Sequence, residues 1–117
     1  MRVLVCGGRN YFNKEKLFEV LDWCHFKSGG YIECIIHGNA TGADTLAGEW
    51  GKTRNVQVLA FPAEWDLYGS RAGHLRNAQM IREGKPEYVI AFPGGRGTSN
   101  MISQAEMNNI PVGRVTE

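Results

Sequence analysis

Charge of one sign, paired cysteines, long apolar runs and metal-ligand clusters are all scarce in this 117-residue chain, and each scarcity excludes a class of function. Thirteen Lys and Arg against twelve Asp and Glu leave a formal charge of +1, so there is no broad basic field and duplex nucleic acid is not expected as a partner. Any anion must be held locally. No apolar run approaches the roughly 20 residues that a membrane-spanning helix needs. The chain enters a strand at once, with neither a charged leader nor a cleavage site, so a soluble protein with no membrane partner is expected. Cys6, Cys24 and Cys34 are odd in number and show no CxxC spacing, which argues against a disulfide framework and fits a reducing cytoplasm. His25, His37 and His74 lie at no metal-ligand spacing from one another or from cysteine, so no metal is expected, and His25 is assigned to the surface.

Several catalytic signatures are missing as well. No Walker A lysine follows a glycine loop, which disfavours an ATP-hydrolysing P-loop. Gly95-Arg96-Gly97-Thr98-Ser99-Asn100 lacks the third glycine of the dinucleotide fingerprint, and the turn after the first strand misses it too. The second strand runs into His37-Gly38 where a ribose-binding acid would stand, so hydride transfer is disfavoured and no cofactor is predicted. There is no Gly-x-Ser-x-Gly elbow, and no base can be identified that would activate Cys6 as a nucleophile.

What the chain has in quantity is glycine, fifteen residues, against an ordinary globular background of 43% hydrophobic and 21% charged residues. That length and composition support one core, so residues 1–117 are expected to form a single domain. The stretch that organises it is Tyr88-Val89-Ile90-Ala91-Phe92-Pro93-Gly94-Gly95-Arg96-Gly97-Thr98. Its first part is apolar without alternation, as in a strand covered on both faces, and Pro93 ends the ladder. The glycines allow backbone amides to approach a ligand, and Thr98 is expected to cap a helix carrying Met101, Ile102 and Ala105 on one face. Free N–H groups and the positive helix end would then favour an anion. The plainer alternative is a tight strand-to-helix turn whose glycines serve packing alone.

Strand and helix patterns alternate along the rest of the chain. Arg2-Val3-Leu4-Val5-Cys6 reads as a strand closed by Gly7-Gly8-Arg9-Asn10, and a helix over about 14–26 carries Leu17, Val20, Leu21 and Cys24. A second strand over 31–36 leads to Gly38-Asn39-Ala40-Thr41-Gly42-Ala43-Asp44, where Thr41 and Asp44 have capping-box spacing before a helix that buries Leu46, Ala47 and Trp50. A third strand over 56–61 is followed by an irregular aromatic stretch, 62–73, long for a connection in a small α/β domain. A helix over about 72–82, the central strand and a short strand over 111–115 complete an α/β fold: a mainly parallel five-stranded sheet with helices on both faces, in three layers. Four glycine-rich or polar connections then share the rim at the carboxyl ends of the strands, where open α/β sheets bind ligands.

The loop Pro93-Gly94-Gly95-Arg96-Gly97-Thr98 resembles the Pro-Gly-Gly-x-Gly-Thr-x-x-Glu signature of the LOG phosphoribohydrolases, members of the SLOG superfamily. Gly38-Asn39-Ala40-Thr41-Gly42-Ala43-Asp44 looks like its second glycine loop, and Gly73-His74-Leu75-Arg76-Asn77-Ala78-Gln79-Met80 is similar to its arginine-bearing helix. With Cys6-Gly7-Gly8-Arg9 and Pro62-Ala63-Glu64-Trp65, these motifs are most similar to the YspA-like, YpsA-related branch. The resemblance covers nearly the whole chain. It implies a Rossmann-like fold, a nucleotide or ADP-ribose-like ligand, a homodimer or higher homo-oligomer, and Arg76 as the candidate catalytic residue. Met101 stands where the hydrolases place the motif glutamate, and Glu106, five residues on, is expected to face elsewhere. A thioether cannot stabilise a cationic sugar, so a non-catalytic binding or sensing module is favoured over a hydrolase using a different acid, with Met101→Glu the change expected to create hydrolysis.

The residues expected to form the site follow from the same loops. Gly7, Gly8, Gly38, Gly42, Gly94, Gly95, Gly97 and Thr98 would supply amides or a hydroxyl to phosphate, with Arg9, Arg76 and Arg96 adding charge. Arg9 and Arg76 could instead be solvated or ion-paired. Asp44 could bond ribose hydroxyls or serve as a first-turn helix cap, and Asn77 could orient the loop or the ligand. Trp65 and Tyr68 could stack a base or close the pocket, or anchor their turn on the core. Trp23, Trp50 and Trp65 add apolar surface that an oligomer would cover.

Overall fold

The apolar runs of the sequence become five strands: β1 (Arg2–Cys6), β2 (Cys34–His37), β3 (Gln57–Ala60), β4 (Tyr88–Ala91) and β5 (Val112–Arg114). The computed structural model describes residues 1–117. The strands pair in the order β3-β2-β1-β4-β5, and every pair is parallel. This is the Rossmann-like α/β sheet that the alternating pattern predicts. Strands β1, β2 and β4 are buried along almost their whole length, whereas β3 and β5 form the partly exposed edges.

Alternation along β1 divides the core. Val3 and Val5 point to one face, where they meet Leu17 and Leu21 of α1 (Lys14–Asp22) and Leu46, Ala47 and Trp50 of α2 (Ala43–Thr53). Leu4 and Cys6 point to the other, where they meet Met80, just beyond α4 (Ala72–Gln79), and Met101 and Ala105 of α5 (Arg96–Met107). A short helix, α3 (Trp65–Tyr68), precedes α4. Three layers result: α1 with α2, the sheet, and α4 with α5.

Strand order reverses at the centre. From β1 the chain winds outward through β2 to β3, then returns past β1 to lay down β4 and β5 on its other side. After β1 it passes to the α1 face, and after β4 to the α5 face, so the connections leaving these neighbouring strands part and open a crevice.

Several local expectations change. The second strand begins at Cys34 and not at residue 31, because its register pairs Arg2 with Cys34 and β1 offers no earlier partner. The 62–73 stretch is not irregular throughout, since α3 and a 3-10 turn at Gly69–Arg71 occupy most of it. The helices expected over 14–26 and 72–82 stop being α-helical at Asp22 and Gln79 and continue as π turns, Trp23–Lys27 and Met80–Gly84. His25 is buried, 8% exposed, not at the surface: its Nδ1 accepts the Ile32 N–H at 3.1 Å and its ring lies edge-on to Trp50. Neither expected cap forms. Gly42 and Gly95 are the N-caps of α2 and α5, and neither helix has a side-chain cap. Trp50 is fully buried and so presents no apolar surface for a partner to cover, whereas Trp23 and Trp65 are exposed.

Trp50 also needs a polar partner, and α1 supplies one. Asp22 Oδ1 accepts from the Trp50 indole N–H at 2.9 Å, while Arg54 donates its Nε to Oδ1 and one terminal nitrogen to Oδ2, both at 2.8 Å. The Arg54 hydrogen bond, assisted by Trp50, holds the Asp22 carboxyl below its usual range against the opposing effect of burial. Asp22→Ala strands a buried indole donor as well as breaking a partly exposed ion pair, so it should destabilise the fold by about 1–3 kcal/mol in urea unfolding at pH 7. Because the folded pKa is depressed, the contribution of Asp22 is present above about pH 4 and is lost as pH falls through the folded value. A loss of equal size at pH 7 and pH 2.5 would contradict this account.

Candidate functional site

The crevice between β1 and β4 is a cleft of about 480 Å³. Its floor is Val5 and Cys6 at the end of β1, one wall is Gly7, Gly8 and Arg9, and the opposite wall is Gly95, Arg96, Gly97 and Thr98 at the start of α5. Ala40 enters from the loop before α2 and Asp44 from the first turn of that helix. One face of α4 closes the far side through Gly73, Arg76, Asn77 and Met80, residues three, four and seven apart that a helix places in one row. Trp65, Ser70 and His74 stand at the mouth.

Interlocking loops shape these walls. Gly42 has φ +76°, and a Cβ there would strike the carbonyl oxygens of Gly8 and Arg9, so only glycine lets the second loop lie against the first. A Cβ on Gly94 would collide with the Thr98 hydroxyl and fall 2.7 Å from the Gly8 nitrogen. By contrast, a Cβ at Gly95 or Gly97 would meet nothing within 4 Å. Gly42 and Gly94 therefore serve the packing of loops, while Gly95 and Gly97 lie on the open side of the cleft.

Arg76 and Asn77 tie the loops together from α4. Arg76 Nη1 donates to the Gly38 carbonyl, and its Nε donates to Asn77 Oδ1 at 3.0 Å. Asn77, nearly wholly buried, passes the connection on by donating Nδ2 to the Gly97 carbonyl at 3.1 Å and to Asn100 Oδ1 at 3.0 Å. Asn77 thus orients the glycine loop.

The electrostatics are one-sided. Arg9, Arg76 and Arg96 all line the cleft, and none belongs to any of the seven ion pairs of the protein. The Arg9 guanidinium lies over the Trp65 ring, 5.3 Å from its centroid. Burial lowers the Arg76 pKa, opposed by the attraction of Asp44. Asp44 is the one acid lining the cleft and is only 6% exposed. Burial pushes its pKa up to about 6, although its Oδ2 accepts the N–H groups of Gly38 and Ala40 at 3.1 and 3.2 Å. These bonds hold the loop before α2 and take the place of the expected helix cap. The N–H groups at the start of α5 have no side-chain cap, and the helix dipole adds partial positive charge to that wall.

Some sequence-predicted residues lie elsewhere. Gly38 lines a smaller adjoining hollow of about 280 Å³, and Tyr68 lines a separate groove behind α4. Met101 is 1% exposed among Leu4, Cys6 and Ala91, so a glutamate there would lie in the apolar layer and not at a sugar, which removes the basis for Met101→Glu as a gain of hydrolysis. Glu106 faces solvent beside Arg114, away from the cleft. Cys6 lines the floor, but burial above all pushes its thiol up to about 12, so it is no nucleophile at neutral pH. Sequence reasoning missed Val5, Cys6, Ala40, Ser70, Gly73, His74 and Met80 as lining residues. Gly73 and Met80 could have been found from the helical spacing that links them to Arg76, whereas Ser70 and His74 depend on how α3 and α4 are angled together.

A model of the YspA, cpYpsA-related SLOG family matches residues 1–68, from β1 through α3. The chain belongs to this family. The Gene 61 protein of Mycobacterium phage D29 is 34% identical over 119 residues, an alignment that covers 95% of this chain and 93% of the phage protein. Among solved structures, a UDP-GlcNAc 2-epimerase from Neisseria meningitidis, determined with UDP-GlcNAc bound, is similar at a TM-score of 0.60 and 16% identity. The similarity covers 98% of this chain and 32% of the epimerase chain, so the chain spans about a third of that enzyme's length and shares its fold. The stretch matched to the SLOG family includes Gly7 to Arg9 and Gly38 to Asp44, while α4 and the loop before α5 lie beyond it.

The raised pKa of Asp44 makes a testable statement about the unliganded protein. The folded state keeps a proton that the unfolded chain releases near pH 4, so the stability tied to that proton is fully present below about pH 4 and is lost as pH rises through about 6. Asp44→Asn retains an acceptor for Gly38 and Ala40 without the charge. It should leave stability nearly unchanged at pH 4 and raise it by about 3 kcal/mol at pH 7.5, measured by urea unfolding at both pH values. An equal effect at the two pH values would show that Asp44 does not titrate in this window.

Proposed function

We propose that this protein binds a nucleotide or an ADP-ribose-like phosphorylated ligand in the β1/β4 cleft and acts as a binding or sensing module. The observation that carries this reading is the set of arginines, Arg9, Arg76 and Arg96, that face one cleft without an ion-pair partner, beside the uncapped start of α5. A cleft with several cations and one partly neutralised acid suits a ligand with more than one negative charge. Its volume of about 480 Å³ is in the range of small-molecule sites. Family membership and a fold shared with a nucleotide-sugar enzyme support a nucleotide-related role in general terms. The ligand itself is our inference from the geometry.

Nucleoside phosphates or ADP-ribose should therefore raise the melting temperature, and the corresponding nucleosides should do so much less. Arg96→Ala is the cleaner test of the charge, because the side chain is exposed and holds no loop, and it should weaken binding by roughly 1.5–3 kcal/mol in calorimetric titration. Arg76→Ala removes the bonds to Gly38 and Asn77 as well, so it should weaken binding and loosen the loops together. Equal thermal shifts with and without phosphate would refute the reading.

A second reading, hydrolysis of an N-glycosidic or phosphate-linked bond, is favoured by Asp44, a carboxyl in the cleft that titrates near neutral pH and so is suited to moving a proton. If it is correct, the parent releases free base or phosphate from a nucleotide at a measurable rate, and Asp44→Asn lowers that rate 100-fold or more while the nucleotide still binds, by the usual size of a general acid–base contribution of about 10²–10⁴. Binding without product in the parent would leave the sensing role alone.

A further inference from the structure

The cleft does not end at Arg9 and Arg76. On their far side lies the hollow of about 280 Å³, which shares Arg9, Ala40, Trp65 and Arg76 with the cleft and is otherwise walled by the loop before α2 and by Pro62 and Ala63. It falls just below the size range of small-molecule sites, so it suits one part of a ligand better than a whole one. Its surfaces mix polar and apolar character: the Asn39 and Thr41 side chains are exposed beside Pro62, Ala63 and the Trp65 indole, as in sites for sugars, which present hydroxyls and C–H faces together. The junction differs from both chambers. Two guanidiniums stand there, and the single acid, Asp44, lines the cleft but not the hollow. Cations at a junction between two compartments favour a ligand whose charge lies in its middle.

We infer that the site takes a two-ended ligand, a nucleoside joined through a diphosphate to a sugar or second nucleoside, with the diphosphate between Arg9 and Arg76 and the second group in the hollow walled by Thr41, Ala63 and Trp65. This rests on the proposed function and narrows it, since a nucleoside mono- or diphosphate would fill the cleft and leave the hollow empty. Arg76 can serve the junction because Nε and Nη1 are committed to Asn77 and Gly38, which fixes the guanidinium while its remaining N–H groups stay available.

Calorimetric titration of the full chain with compounds that share a nucleoside tests this, using AMP, ADP and ADP-ribose alongside UDP and a UDP-sugar. The two-ended member of at least one set should bind 10-fold or more tighter than its nucleoside diphosphate. Ala63→Phe, which fills the hollow, should bring the two-ended ligand down to the affinity of the diphosphate and leave the diphosphate unchanged. Pro62→Trp should do the same from the neighbouring position, and circular dichroism identifies any variant that fails to fold. If the diphosphate binds the parent as tightly as the two-ended compound, or if both folded variants bind the two-ended compound as the parent does, the inference is overturned and the proposed function stands. If none of the compounds binds the parent, the proposed function fails and takes the inference with it.

Discussion

A half-buried guanidinium at the carboxyl end of the sheet holds the cleft together. Arg76 reaches from α4 to the Gly38 carbonyl in the loop after β2, and through Asn77 it is joined to the Gly97 carbonyl at the start of α5. These segments follow different strands, β2 and β4, which are not neighbours in the sheet. A charged donor in a partly desolvated place bonds more strongly than a neutral one, and leaving it unbonded there would be costly, so the guanidinium and its acceptors hold one another in place. Gln104 extends the same network by donating to Asn100 Oδ1 at 2.8 Å and to the His74 carbonyl, which fixes α5 against α4.

Loop packing supplies the other half of the preorganisation. Where backbone meets backbone, at Gly42 against Gly8 and Arg9 and at Gly94 against Gly8 and Thr98, any side chain would force the loops apart. Where the wall faces open space, at Gly95 and Gly97, the missing side chain leaves the amides of α5 accessible. Glycine in one short loop therefore has two physical roles, one buried and one open. Amides fixed in this way would need little reorganisation to meet the proposed anion.

The chemistry available in the cleft is set by burial as much as by residue type. Cys6 is next to the glycine turn yet lies under the cleft with a thiol that stays protonated, and Met101 lies one layer deeper still. Asp44 is buried too, but two backbone donors and the nearby arginines oppose the desolvation, and its carboxyl is left poised near neutrality. It is thus a group in the cleft whose charge can change near neutrality, close to cations that cannot lose theirs.

The sequence alone determined the fold class, the single sheet and the rim that carries the glycine-rich connections, because apolar runs without alternation demand strands buried on both faces and strand–helix alternation makes the sheet parallel. It also pointed to Gly7 to Arg9, Asp44, Arg76, Asn77 and Gly95 to Thr98, which the fold gathers around one cleft. Tertiary structure decided the rest. The register of β1 against β2 set where the second strand begins, and the angle of α3 against α4 turned Tyr68 out of the cleft while bringing in Ser70 and His74. Direction on a helix put Met101 in the core although it is only three residues from Thr98 at the cleft, and packing on Trp50 buried a histidine that spacing alone would leave at the surface. Periodicity along a chain records how often a side chain must be covered; what covers it depends on residues distant in sequence, and only the folded chain brings those together.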